Sequence, residues 1–123
     1  AFFNRIGYHE YEGPSLDTDE RGRLLESLAE NRAMILRNHG LLVVGKTIPE
    51  TFLRLYRLER ACQIQLDAAA AGPMHVLPGQ TAARSGRDMD GFSASQTDTA
   101  EVGALEFAAM MRKLDKLDPS YRE

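Results

Sequence analysis

The sequence predicts an α/β fold with an unfinished sheet, and three observations carry that reading. Short apolar runs of strand length occur at 5–11, 33–38 and 41–45. Two capping-box signatures, Asp17 with Glu20 and Thr47 with Glu50, each precede apolar residues at helical spacing. The resulting inventory of about three strands and three helices leaves the sheet near the minimum for independent stability. Either the chain oligomerises, or the rest of the sheet belongs to further sequence. The opening "AFFNRIGYHEYEG" has no methionine and no disordered lead-in. Removal of an initiator Met explains this, and so does a start inside something larger.

The elements follow in order. In "RIGYHEY", Ile6 and Tyr8 point one way and His9 and Tyr11 the other, until Gly13-Pro14 breaks the strand. Behind Asp17, residues Leu24, Leu25, Leu28 and Ala29 define a helix over 18–30. "AMILRN" and "LLVVG" make a β-hairpin, or two strands meeting at a bend, around Asn38, His39 and Gly40. Thr47, with Pro49 in the first turn, starts a long helix that Gly72-Pro73 stops near Ala71. Residues 73–98 are poor in large apolar side chains and read as an extended loop, a length that usually serves function or packs on a partner. A last helix spans 99–117 and ends at Asp118-Pro119.

Composition narrows the function. With 123 residues, 43% hydrophobic, 27% charged and a net charge of -3, the chain is of single-domain size and lacks the charge of a general nucleic-acid or membrane-surface binder. No run approaches the ~20 apolar residues of a membrane span. The one cysteine, Cys62, excludes an internal disulfide, so a reducing cytoplasmic compartment is expected, and on the apolar stripe it reads as a small buried hydrophobe.

His39 has two readings. It is a turn residue, since histidine tolerates positive φ, or a strand end presents its imidazole as a metal ligand or general base, with Gly40 leaving room for a ligand. A catalytic zinc takes three protein ligands, and neither His9 nor His75 stands at chelating spacing from His39 or from the other. Glu59 falls among Phe52, Leu55, Cys62 and Leu66 on one stripe of the long helix, where a carboxylate needs a partner. A structural ion pair with an arginine such as Arg37 or with a partner subunit is the preferred reading, ahead of orienting a ligating histidine. Twelve arginines stand against three lysines, and Arg54, Arg57 and Arg60 are spread around one helix as a solvated or subunit-facing surface. A stand-alone helical interaction domain with a chance Asn-His-Gly turn is a further reading.

From Asn31 to Gln65, "NRAMILRNHGLLVVGKTIPETFLRLYRLERACQIQ" resembles the C-terminal half of the class II aldolase/adducin family. The matching pieces are the Asn38-His39-Gly40 turn, Gly45, the Thr47–Glu50 helix start and the segment 58–62. "YHEYEG" and "LDKLDPSYRE" resemble the short bacterial members. The resemblance implies an α/β/α sandwich around a mixed, mostly antiparallel sheet, with residues 1–123 as the C-terminal portion of one such domain and its N-terminal half absent.

Homo-tetramers with active sites at subunit interfaces are also implied, as is a divalent metal, commonly zinc, held by three histidines, one of which corresponds to His39. That metal polarises the carbonyl of a small sugar phosphate or hydroxy-carbonyl compound in a lyase, or a related epimerase or decarboxylase, and stabilises the enediolate left when a carbon–carbon bond breaks. Asn38, Gly40 and Glu59 then have supporting roles, and Tyr121 corresponds to the tail that reaches a neighbouring subunit. The family's His-x-His pair and its acid/base carboxylate lie upstream, so no catalytic acid or base is assigned here and the 123 residues alone are expected to be inactive. The alternative is a non-catalytic, adducin-like assembly module, since one fold serves many functions.

Overall fold

A computed structural model describes residues 2–13, 18–95 and 101–122. The element order is β1 (Gly7–His9), α1 (Glu20–Leu28), β2 (Ala33–Leu36), β3 (Gly40–Val43), α2 (Ile48–Ala70), α3 (Gly79–Ser95) and α4 (Ala104–Leu117), closed by a 3₁₀ turn at Pro119–Arg122. The fold is α/β.

The sheet runs β1-β2-β3, with β1 parallel to β2 and β2 antiparallel to β3. The register Tyr8↔Ile35 and Ile35↔Leu41 places each triplet of partners on one face. Helix α1 is the crossover between the two parallel strands and packs on both. It lies on the face of Gly7 and His9, and a Cβ at Gly7 would overlap the Ser27 carbonyl oxygen. Successive strand residues face opposite ways, so the burial of both Ala33 and Met34 shows that β2 is covered on both sides.

Thr47 caps α2 as the sequence predicts, accepting the Glu50 N–H at 3.3 Å, and Glu50 in return accepts the Lys46 N–H at 2.7 Å. The first turns of α2 sit on β3 and β2, burying Leu53 and Leu58, which with Ala33 and Met34 form the core. Helix α4 packs on α2 through an edge-to-face Phe52–Phe107 contact at 5.4 Å. Its N-cap is Gly103, whose φ of 83° and close approach to Pro49 exclude other residues.

Three expectations need correction. The loop expected over 73–98 contains α3, a 17-residue helix that starts just after Pro78, whose carbonyl accepts the Ala82 N–H at 3.1 Å. Among the described residues α3 packs on no other helix or strand, and its Gly, Ser and Asp content makes it read as loop. The strand of 5–11 is only Gly7–His9: Tyr8 and His9 do face opposite ways, but Tyr11 lies beyond the strand. Glu59 is exposed, because the buried face of α2 runs through Glu50, Leu53 and Leu58 and the helix outruns the sheet it packs on. Leu66, on the expected stripe, is 68% exposed, and Cys62 is half-buried.

Both terminal helices outside α2 are shorter than expected, beginning at Glu20 and Ala104. The cap expected at Asp17 lies outside the described residues. Among the described residues, no helix is long and apolar enough to cross a membrane.

Candidate functional site

The β2–β3 connection is three residues, because Leu36 pairs with Gly40. Asn38 takes the left-handed conformation at φ 57°, which frees His39 from that role. The His39 N–H donates to the Leu36 carbonyl at 3.1 Å, fixing the backbone beneath the imidazole. The parallel register of His9 with Leu36 carries the next residues of the chain alongside this turn. Tyr11 stacks on the His39 ring at 6.0 Å between centroids and 17° between planes. Glu10 pairs with Arg37 at 3.1 Å, and the Arg37 guanidinium also lies over the Tyr8 ring at 5.4 Å.

His39 is therefore a solvent-facing imidazole on a fixed turn, oriented by an aromatic ring. No atom lies within 4 Å of where a Cβ on Gly40 would sit, so the approach is open. Among the described residues no trio of His, Cys, Asp or Glu ligand atoms includes His39. This chain can offer a metal one ligand from that turn.

The other expected site residues are dispersed. Arg37, engaged by Glu10, is not the partner of Glu59. The buried carboxylate of α2 is Glu50, bound by Arg54 at 2.6 Å and Arg32 at 3.1 Å. Burial by itself raises its pKa, but the Lys46 N–H and the two guanidiniums outweigh burial and hold it below the usual carboxylate range. Arg54 also donates to the Val44 carbonyl, so Glu50 and Arg54 together tie the end of β3 to the start of α2. Tyr121 folds back on α4, donating to Asp115 and accepting from Arg122 Nε at 3.2 Å.

One cluster has no signature in the sequence. His9 is 6% exposed, with Nδ1 and Ser27 Oγ hydrogen-bonded at 3.0 Å. Its Nε2 has no hydrogen-bond partner among the described residues, and faces Glu12 at 3.7 Å and Glu20 at 3.8 Å. Arg23 clasps Glu12, with Nε donating to both carboxylate oxygens at 3.0 and 2.8 Å and Nη2 to Oε2 at 2.6 Å. The three residues come from a strand, the segment after it and a helix, and no local spacing ties Glu20 to the other two. Glu20 reads in the sequence as half of a helix cap.

Comparison with known proteins defines the family. Residues 1–66 match the profile of the class II aldolase and adducin N-terminal domain. The chain is 39% identical over 119 residues to a Pseudomonas aeruginosa protein named for the class 2 aldolases, covering 96% of this chain and 45% of that protein. It is 35% identical over 120 residues to alpha-adducin of Rattus norvegicus, covering 91% of this chain and 16% of the adducin. Among solved structures it is similar to an aldolase II superfamily protein from Pseudomonas syringae, with TM-score 0.82, 35% identity, and coverage of 99% of this chain and 47% of that one. An L-fuculose 1-phosphate aldolase from Glaciozyma antarctica aligns with TM-score 0.64 and 26% identity, over 97% of this chain and 41% of that one. The chain belongs to the class II aldolase and adducin family. It spans less than half the length of each of these relatives.

Proposed function

We propose that this chain is one part of a metal-dependent, aldolase-type lyase, or of a related epimerase or decarboxylase, acting on a small sugar phosphate or hydroxy-carbonyl compound. The observation that carries the reading is His39, presented on a fixed turn with its ring steadied by Tyr11 and its approach open at Gly40. The likeness to an L-fuculose 1-phosphate aldolase supports the substrate class.

One neutral imidazole fits a zinc-type divalent ion as a single ligand, and the other two ligands come from sequence outside this chain. When bound, such a metal polarises a substrate carbonyl. The residues here hold that position: Asn38 absorbs the backbone turn, His39 supplies the ligand nitrogen and Tyr11 orders its ring. Glu59, exposed on α2, takes no part within this chain. The chain corresponds to about the C-terminal half of the domain, in a homo-oligomer, a tetramer by family resemblance, in the cytoplasm. The tail role of Tyr121 toward a neighbouring subunit belongs to the same proposal and is supported by the family resemblance and by its 44% exposure on the terminal turn.

The test is metal content and carbon–carbon cleavage in the complete gene product. Stoichiometric zinc or another divalent ion, lost with activity in His39→Ala, is expected. A complete protein with no metal dependence in any cleavage or epimerisation assay overturns the proposal. A second reading, an adducin-like assembly module, is favoured by the similarity to alpha-adducin over 91% of this chain. It requires a metal-free oligomer, and metal held by His39 excludes it.

A further inference from the structure

We propose that His9, Glu12 and Glu20 form a second binding site for a divalent cation of the zinc class, structural in role and independent of the His39 turn. The cluster holds an electrostatic conflict. In the tautomer that donates Nδ1–H to Ser27 Oγ, the lone pair of the buried Nε2 is aimed at two carboxylates with no proton between them. Arg23 compensates Glu12 in part, and a proton or a cation between Nε2 and the two carboxylates would relieve what is left.

The spacing distinguishes the two. An Nε2–H donor draws a carboxylate oxygen to about 2.7–2.9 Å. Here both oxygens stand back, at 3.7 and 3.8 Å. Ligand atoms around a zinc at its usual bond lengths are separated by about 3.3–3.6 Å. The three atoms all lie within 4.8 Å of one another, so a point common to them is about 2.0–2.4 Å from each, at the zinc distance or a few tenths beyond.

The donor chemistry agrees. One imidazole with two carboxylates is a mixed nitrogen and oxygen set that suits zinc, cobalt or manganese, whereas calcium and magnesium prefer all-oxygen shells. The Ser27 contact orients the ring and fixes its tautomer, as the outer partner of a ligating histidine ordinarily does. Arg23 orients Glu12, with its Nε shared between the two carboxylate oxygens at 3.0 and 2.8 Å, so that Oε1 would keep this bond while turning its other lone pair to the ion, and its charge leaves the site one negative charge short of that of the two carboxylates. The ion would join β1, the segment after it and the first turn of α1.

The experiment uses the complete gene product carrying His39→Ala, so that the turn site is removed. Zinc in tenfold excess should raise its Tm, and adding Glu20→Gln or Glu12→Gln should cancel that rise and weaken zinc affinity at least about tenfold. Equal rises with and without the glutamine substitutions overturn the proposal. Anomalous diffraction from wild-type crystals grown with Co²⁺ locates the ion directly. A peak within bonding distance of His9 Nε2 is expected. Density at His39 with none at His9 overturns this site while leaving the proposed function intact.

Discussion

The ring of Tyr11 lies over that of His39, 6.0 Å away and nearly parallel, and joins the segment after β1 to the β2–β3 turn. A lone exposed imidazole samples several rotamers, and a flat neighbour restricts it. Aromatic pairs of this kind contribute about 0.5–1.5 kcal/mol. If His39 holds a metal as proposed, Tyr11→Ala should weaken metal binding by the complete protein about 2–10-fold, while Tyr11→Phe should leave it unchanged. Metal titration with a competing chelator measures both. An equal loss in the two variants would assign the effect to the hydroxyl instead of the ring.

Glu50 makes stability depend on acid. Its carboxyl is held below the usual range because the Lys46 N–H, Arg54 and Arg32 together outweigh its burial. A depressed folded-state pKa gives stability that is complete above the unfolded value and lost as pH falls through the folded one. Glu50→Gln should cost about 1–3 kcal/mol at neutral pH and flatten the acid limb of the profile. Urea denaturation at several pH values below neutrality checks the slope, and parallel wild-type and variant curves would refute it.

The hairpin and the start of α2 were legible because their signals are local. Asn38-His39-Gly40 marks a turn by residue type, and Thr47 and Glu50 mark a cap by spacing. The face of α2 was not, since Leu55, Glu59 and Leu66 repeat at helical spacing whether or not anything packs on them. The short sheet reaches only the first turns. Helix α3 is hidden by composition: its Gly, Ser and Asp residues are weak helix formers and read as loop. The turn that presents His39 is readable as the Asn-His-Gly motif. The His9 cluster, assembled across three elements, required coordinates.

Gly7 is fixed by contact, not by turn geometry. Helix α1 crosses so close to β1 that a Cβ on residue 7 would collide with the Ser27 carbonyl. A backbone atom cannot swing aside as a long side chain does, so Gly7→Ala should push α1 outward and cost about 1–3 kcal/mol. Chemical denaturation measures the loss. The same substitution at Gly22, where a Cβ meets nothing within 4 Å, should stabilise slightly, because alanine is the better helix former by about 1 kcal/mol.

Leu58 and Leu66 put the two readings of α2 in direct competition. Both are leucines on one helix, and the sequence stripe includes Leu66, not Leu58. In the structure Leu58 is 1% exposed and Leu66 68%. Removing a buried leucine side chain forfeits its transfer energy and leaves a cavity, so Leu58→Ala should cost about 2–5 kcal/mol. A surface truncation stays within about 0.5 kcal/mol, which is the expectation for Leu66→Ala in the isolated chain. In the complete protein the comparison gains a second use. If Leu66→Ala is then destabilising by more than about 1 kcal/mol, the outer part of α2 is covered there by another segment or subunit. Concentration-dependent melting separates those two, because only a subunit contact gives a Tm that rises with protein concentration.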